Sequence, residues 1–241
     1  MDKNEKQRHN EDIANELSKR SQPIKDESLT TFIRNIEKNG HDVWVMTDFH
    51  LFKRDKKGDV KCHKRSDYDR IKRAVENIPE DDLLIYLGDL VDGEFTDVQE
   101  VKKFFKGVTC NLIITLGNND LFHYNSYREM GFRYVLYAFE YDNMIFSHYP
   151  IANTGIYNIH GHLHSTDDRR PCYWIPFTNQ MDVSYFGGRV KPIKLRDIAN
   201  PSTFKKYKKI VSEDKTHFNE SVDIFNYVNI KNGLLDDPYD D

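Results

Sequence analysis

Seven side chains able to hold a metal ion stand just beyond the ends of apolar runs. Asp48 and His50 follow residues 43–47, Asp89 follows 83–87, and Asn118 follows 111–116. His148 follows 144–146, and His162 with His164 follows 156–159. Each motif alone is weak. The His-x-His pair carries more, because in an extended segment residues i and i+2 project to one side and can serve one cluster. Carboxylate, imidazole and one neutral amide together suit Mn, Fe or Zn better than a purely oxygen-loving ion. Seven donors exceed what one ion needs, whereas two ions sharing one carboxylate account for all of them. Such ions, about 3.5–4 Å apart, can hold a bridging hydroxide and both non-leaving oxygens of a phosphoryl centre. Asp89, beside Gly88, is the candidate shared carboxylate.

The elements that must carry these residues alternate. An apolar run at 43–47 is followed by a polar loop and a helix with Ile71, Val75 and Ile78 inward, stopped by Pro79. Residues 66–69 read as a capping box for that helix, and 96–99 as a second one. The second opens a helix with Val98, Val101, Phe104 and Phe105, ended by Gly107. Strand, helix, strand, helix, strand is the rhythm of parallel strands with crossover helices. In such sheets, ligands bind beyond the carboxyl ends of the strands. Further on the spacing changes. Residues 134–139 and 144–146 read as two strands of a hairpin with a turn at 140–143, then short strands at 156–159 and 181–186. This predicts a second sheet packed on the first.

Before this body, Leu29, Phe32, Ile33 and Ile36 mark one face of a helix that stops at Asn39-Gly40. After it, Phe204, Tyr207, Ile210 and Val211 support another, and residues 234–241 form an acidic end. The expected organisation is a polar helical extension at 1–40, one domain at 41–199, and a helical and acidic extension at 200–241 packed on the same domain.

The 241 residues carry a net charge of -4, which argues against stable gripping of nucleic acid through phosphate neutralisation. Three cysteines, Cys62, Cys110 and Cys172, with no Cys-x-x-Cys pair, argue against a disulfide framework or a thiolate zinc site. No apolar leader is visible at the start, and no run nears the roughly 18 apolar residues of a membrane span. The expectation is a cytoplasmic protein without a membrane partner.

Asp48-Phe49-His50, Gly88-Asp89-Leu90-Val91-Asp92, Gly117-Asn118-Asn119-Asp120, Ser147-His148 and Gly161-His162-Leu163-His164 resemble the five blocks of the calcineurin-like metallophosphoesterases, in family order. The resemblance is greatest to the small bacterial and phage phosphoesterases. It implies an α/β fold, a two-sheet sandwich flanked by helices in four layers, αββα. It also implies two divalent ions, manganese first, with iron, zinc or nickel as alternatives. Asp48, His50, Asp89 and His164 would hold one, and Asp89, Asn118, His148 and His162 the other. The implied activity is hydrolysis of phosphodiester or nucleotide-type phosphate bonds by in-line attack of a metal-bridging hydroxide, on a small, nucleotide-like substrate. Alternatives are a nuclease acting on DNA or RNA and a scaffold of this fold that has lost catalysis, as in the retromer subunit. Such scaffolds lose ligand histidines, and this chain retains them.

One residue departs from the family. Asn119 stands where a histidine thought to protonate the leaving group or steady the phosphate is usual. Asparagine can donate a hydrogen bond but delivers no proton at neutral pH. Asn119 is therefore expected to bind substrate and stabilise charge beside the catalytic Asp89. His123 is a candidate replacement acid. In the basic loop of Lys53, Arg54, Lys56, Lys57, Lys61, His63, Lys64 and Arg65, Arg65 is a candidate substrate contact. Asp92 and His160 are expected to be structural.

Overall fold

The structure, a computed structural model, describes residues 22–52, 65–91, 96–151, 156–164, 173–174, 180–184 and 191–198. The basic loop at 53–64, Asp92, Cys62, Cys172, the expected helix near Phe204 and the acidic end lie outside the described residues, as does the Arg65 side chain.

Helix α1 spans Glu27–Lys38, with Asp26 as its cap accepting from Leu29 N at 2.9 Å. Strand β1 (Val43–Met46) follows, then α2 (Arg65–Glu76), β2 (Leu83–Tyr86), α3 (Val98–Phe105), β3 (Asn111–Thr115), the short α4 (Tyr124–Glu129) and β4 (Phe132–Leu136). Strands β1 to β4 pair in parallel. Their near-continuous apolar sequence is what a sheet covered on both faces requires. On one face, Met46, Leu84, Tyr86 and Ile114 pack with Ile71, Val75, Val101, Phe104 and Tyr127 from α2, α3 and α4. On the other, Val43, Val45, Leu83, Ile85 and Ile113 meet the second sheet.

That second sheet contains β5 (Ala138–Tyr141), β6 (Met144–Ser147), β7 (Tyr157–His160), β8 (Tyr173–Trp174) and β9 (Gln180–Asp182), in the order β5-β6-β7-β9-β8. Phe139, Phe146, Ile159 and Met181 face the first sheet. Strand β10 (Ile193–Lys194) returns to pair antiparallel with β1, and α5 (Leu195–Ile198) follows it. Leu29, Ile33 and Ile36 of α1 belong to the same apolar cluster as the two sheets. The architecture is the expected two-sheet α/β sandwich with helices.

Several local expectations are corrected. The apolar run 134–139 is not one strand. It bends at the exposed Tyr137 and passes from β4 in the first sheet to β5 in the second. One run cannot pair with β3 in one sheet and β6 in the other without a break, and periodicity carries no sign of which partner wins. The hairpin turn is only Asp142-Asn143, both at positive φ, as a tight two-residue connection needs. The cap of α3 is Asp97, accepting from Gln99 N at 2.8 Å, and not Thr96. Helix α2 begins at Arg65, one residue before its expected cap. Among the described residues, no helix is long and apolar enough to cross a membrane.

Candidate metal centre

The four parallel strands deliver their carboxyl ends to one side, where the chain turns sharply. Among the described residues, eight non-glycine residues adopt positive φ, and five are candidate ligands: Asp48 (58°), His50 (45°), Asp89 (51°), His162 (74°) and His164 (51°). For an L-residue this conformation costs about 1–2 kcal/mol. Strain of this kind clusters where a site needs a particular side-chain direction.

The side chains form two groups. In the first, His50 Nε2 lies 3.3 Å from His164 Nε2, which lies 3.4 Å from Asp48 Oδ1. In the second, His148 Nε2 lies 3.1 Å from His162 Nδ1 and 3.2 Å from Asn118 Oδ1. Asp89 joins them. Its Oδ2 is 3.6 Å from His50 Nε2, and its Oδ1 is 3.5 Å from His148 Nε2. Within the trio Asp48, His50 and His164, and within the trio Asp89, His148 and His162, the donor atoms lie within 4.8 Å of one another.

This donor set fits divalent ions. His148 Nδ1 is 2.9 Å from the Leu87 carbonyl, which only accepts, so Nδ1 carries the proton and Nε2 turns its lone pair inward. Burial drives the His162 pKa well below its ordinary value, and neighbouring His148 adds to the effect, which favours the neutral ring. Donor atoms of His148, His162 and Asn118 thus converge. Asp48, Asp89 and Asp120 are also buried, and among the described residues none pairs with a lysine or arginine. The ion-pair partners of Asp48 and Asp89 are histidines, and a cation held between the carboxylates and imidazoles would balance the buried charge. For Asp48, burial works to raise the pKa, but the hydrogen bond and charge of His164, backed by His148 and His50, hold it below the usual carboxylate range. For His164, burial would lower the pKa, and Asp48 more than offsets it.

Close backbone approach makes room for the groups. A Cβ on Gly161 would sit 2.3 Å from Asp48 Oδ2, one on Gly88 would meet His148 Nδ1 at 2.7 Å, and one on Gly117 would meet Asp89 Oδ1 at 2.1 Å. The His162 amide donates to Asp48 Oδ2 at 3.0 Å. Behind His148, Ser147 Oγ donates to the Tyr149 carbonyl at 2.6 Å and accepts from Asn158 Nδ2 at 2.8 Å, while Asn158 Oδ1 accepts from Ile151 N at 2.7 Å. One side chain on β7 thereby fixes both sides of the His148 turn.

The structure brings all seven sequence-derived candidate ligands into these two groups. Asn119 lies against the Asp89 carboxylate: its backbone N donates to Asp89 Oδ1 at 3.0 Å and its Nδ2 to Asp89 Oδ2 at 2.8 Å. His123 is exposed and caps α4 through Nδ1, which accepts from Asn125 N at 3.3 Å. His160 pairs through Nδ1 with the Gly161 carbonyl at 2.8 Å and belongs to neither group. Sequence reasoning missed the supporting Asp120, Tyr86 and Asn158. Tyr86 OH accepts from Phe49 N at 2.8 Å, tying the β1 turn to β2. Asp120 accepts backbone N–H groups from the β2 turn, and burial with the charge of Asp89 pushes its pKa up to about 6. Only the Asp ending the Gly-Asn-Asn-Asp turn hinted at it.

A family model described as calcineurin-like phosphoesterase matches residues 41–202. Two solved structures are similar. One is a protein of unknown function from Aquifex aeolicus, 17% identical, covering 66% of this chain and 97% of that chain with a TM-score of 0.47. The other is a nuclease from Pseudomonas putida, 18% identical, covering 62% of this chain and 78% of that chain with a TM-score of 0.43. No curated protein matches.

Proposed function

The chain belongs to the calcineurin-like phosphoesterases, metal-dependent hydrolases of phosphoester bonds, and from that premise we propose a two-metal site acting on phosphodiester or nucleotide-type phosphate bonds. The observation that carries this reading is the division of Asp89, with one oxygen toward each group of donors. Asp48, His50, His164 and Asp89 Oδ2 would hold one ion, and Asp89 Oδ1, Asn118, His148 and His162 the other. Manganese leads the candidates on the family resemblance, and the mixed carboxylate, imidazole and amide donors suit iron or zinc as well. Two such ions supply Lewis-acid activation of water and of the phosphoryl group.

The chain's own residues orient and balance this chemistry. The lone pair of His148 is aimed by the Leu87 carbonyl. Asn119 keeps the Asp89 carboxylate from rotating, with one N–H on each oxygen. It delivers no proton, so the favoured leaving groups are weak bases, such as aryl oxides or phosphates. The substrate expected on this ground is small, phosphorylated and nucleotide-like. The test is a manganese-loaded screen of bis(p-nitrophenyl) phosphate, p-nitrophenyl phosphate, alkyl monoesters, cyclic nucleotides and dinucleotide polyphosphates. Aryl diesters and anhydrides should lead. Equal turnover of alkyl and aryl esters would remove the leaving-group argument. Fewer than one ion bound per chain after manganese supplementation would favour a non-catalytic scaffold.

A further inference from the structure

Asp120 makes more backbone contacts than a turn residue needs. Its Oδ2 accepts from Asp89 N at 2.7 Å and Gly117 N at 2.9 Å, and its Oδ1 from Leu90 N at 3.0 Å and Val91 N at 3.4 Å. Asp89, Leu90 and Val91 are all buried, so water cannot take over these donors. Such N–H groups left without an acceptor would be destabilising. Three of the four belong to the turn after β2, where Asp89 stands at a φ of 51°. Gly117, the fourth, is pressed against Asp89 by the same carboxylate.

We propose that Asp120 is a positioning residue that locks the left-handed backbone of Asp89 and thereby sets the carboxylate across the two groups of donors before any ion arrives. The inference rests on the two-metal reading above. With the acceptor removed, the Asp89 backbone can relax toward negative φ, and its side chain then swings off the axis between His50 and His148. A carboxylate is required because it presents two acceptor atoms to four donors. An amide of the same size has one acceptor and turns its own N–H groups against two of them.

The substitution to make is Asp120→Asn in the full chain. Calorimetric titration of the metal-free protein with manganese should show the weaker-binding ion lose about 10–100-fold in affinity, the range typical of residues that orient a ligand. Amide hydrogen exchange in the metal-free protein should quicken about tenfold or more at Asp89 and Leu90, while Leu84 and Ile85 in β2 stay unchanged. Asp82→Asn, another buried carboxylate that accepts backbone and side-chain N–H groups far from the site, is the control. It should lower the thermal midpoint and leave manganese affinity alone, a separation that a merely structural role for Asp120 would not produce. Unchanged exchange and unchanged affinity in Asp120→Asn overturn the proposal. Wild-type protein that binds fewer than two ions overturns the two-metal reading instead, and the exchange data still judge the lock. Should the variant not fold, the wild-type amides of Asp89 and Gly117 decide. Strong protection in the metal-free state supports the lock, and exchange at the unstructured rate overturns it.

Discussion

The two ends of the first sheet use buried aspartates for opposite purposes. At the amino ends of the strands, Asp82 accepts from Asp42 N at 3.0 Å and Trp44 Nε1 at 2.7 Å. Asp42 pairs with Lys194 at 2.6 Å and Arg196 at 3.2 Å, and the Lys194 ammonium lies 4.7 Å from the Trp44 ring centre. Charges are matched there, and β10, β1 and β2 are stapled together. At the carboxyl ends, Asp48 and Asp89 stand at positive φ among histidines, and no described lysine or arginine offsets them. The difference teaches where the molecule is stable and where it is poised. One end is matched by lysine and arginine, and the other gathers carboxylates and imidazoles in groups that could hold a metal ion.

The sharpest break of that contrast is Asp89→Asn. With one charge removed between the two groups of donors, kcat should fall about a thousandfold, as several kcal/mol of charge stabilisation disappear. Steady-state kinetics at saturating manganese checks it, and undiminished turnover would sink the proposed site. Next comes Gly161→Ala. The added Cβ must displace Asp48 Oδ2 and Thr47 Oγ1, each 2.3 Å away. Overpacking of this kind costs about 1–3 kcal/mol, and manganese affinity should fall with stability. At the other end, Asp82→Asn should cost about 1–3 kcal/mol through its weakened buried hydrogen bonds. In a chain of this size that lowers Tm by roughly 2–4 °C per kcal/mol, read by thermal unfolding with and without manganese. The metal-induced rise in Tm should be the same as in wild type. The smallest effect belongs to Cys110, just before β3, whose thiol burial pushes up to about 12. It should resist alkylation at pH 8 in native protein and react on unfolding, by mass spectrometry. Fast native labelling would show that this end opens.

Much of the site was legible because its signal is local. An apolar run that ends in Asp-x-His or His-x-His announces both a buried strand and donors at its carboxyl end. Helices α2 and α3 were readable from the inward-facing spacing of their apolar residues. Less was readable where the partner lies far along the chain. Tyr134 and Phe139 sit in one apolar run, yet belong to different sheets. Strand β10 is two residues long, too short to show a period. The hydrogen bond of the Asn119 amide to Asp89 joins two turns and had no local signal.

The sequence by itself carried the five motif blocks that resemble the family, and with them the seven candidate donors and the expectation of a two-sheet sandwich, because residue type and spacing are written locally. Only the tertiary structure decided how Asp89 is divided between two groups of donors and that Asp120 holds its backbone. Those outcomes depend on contacts such as Asp89 with Asp120 and His162 with Asp48, which join residues 31 and 114 positions apart. No local pattern encodes them, since only folding brings those turns together.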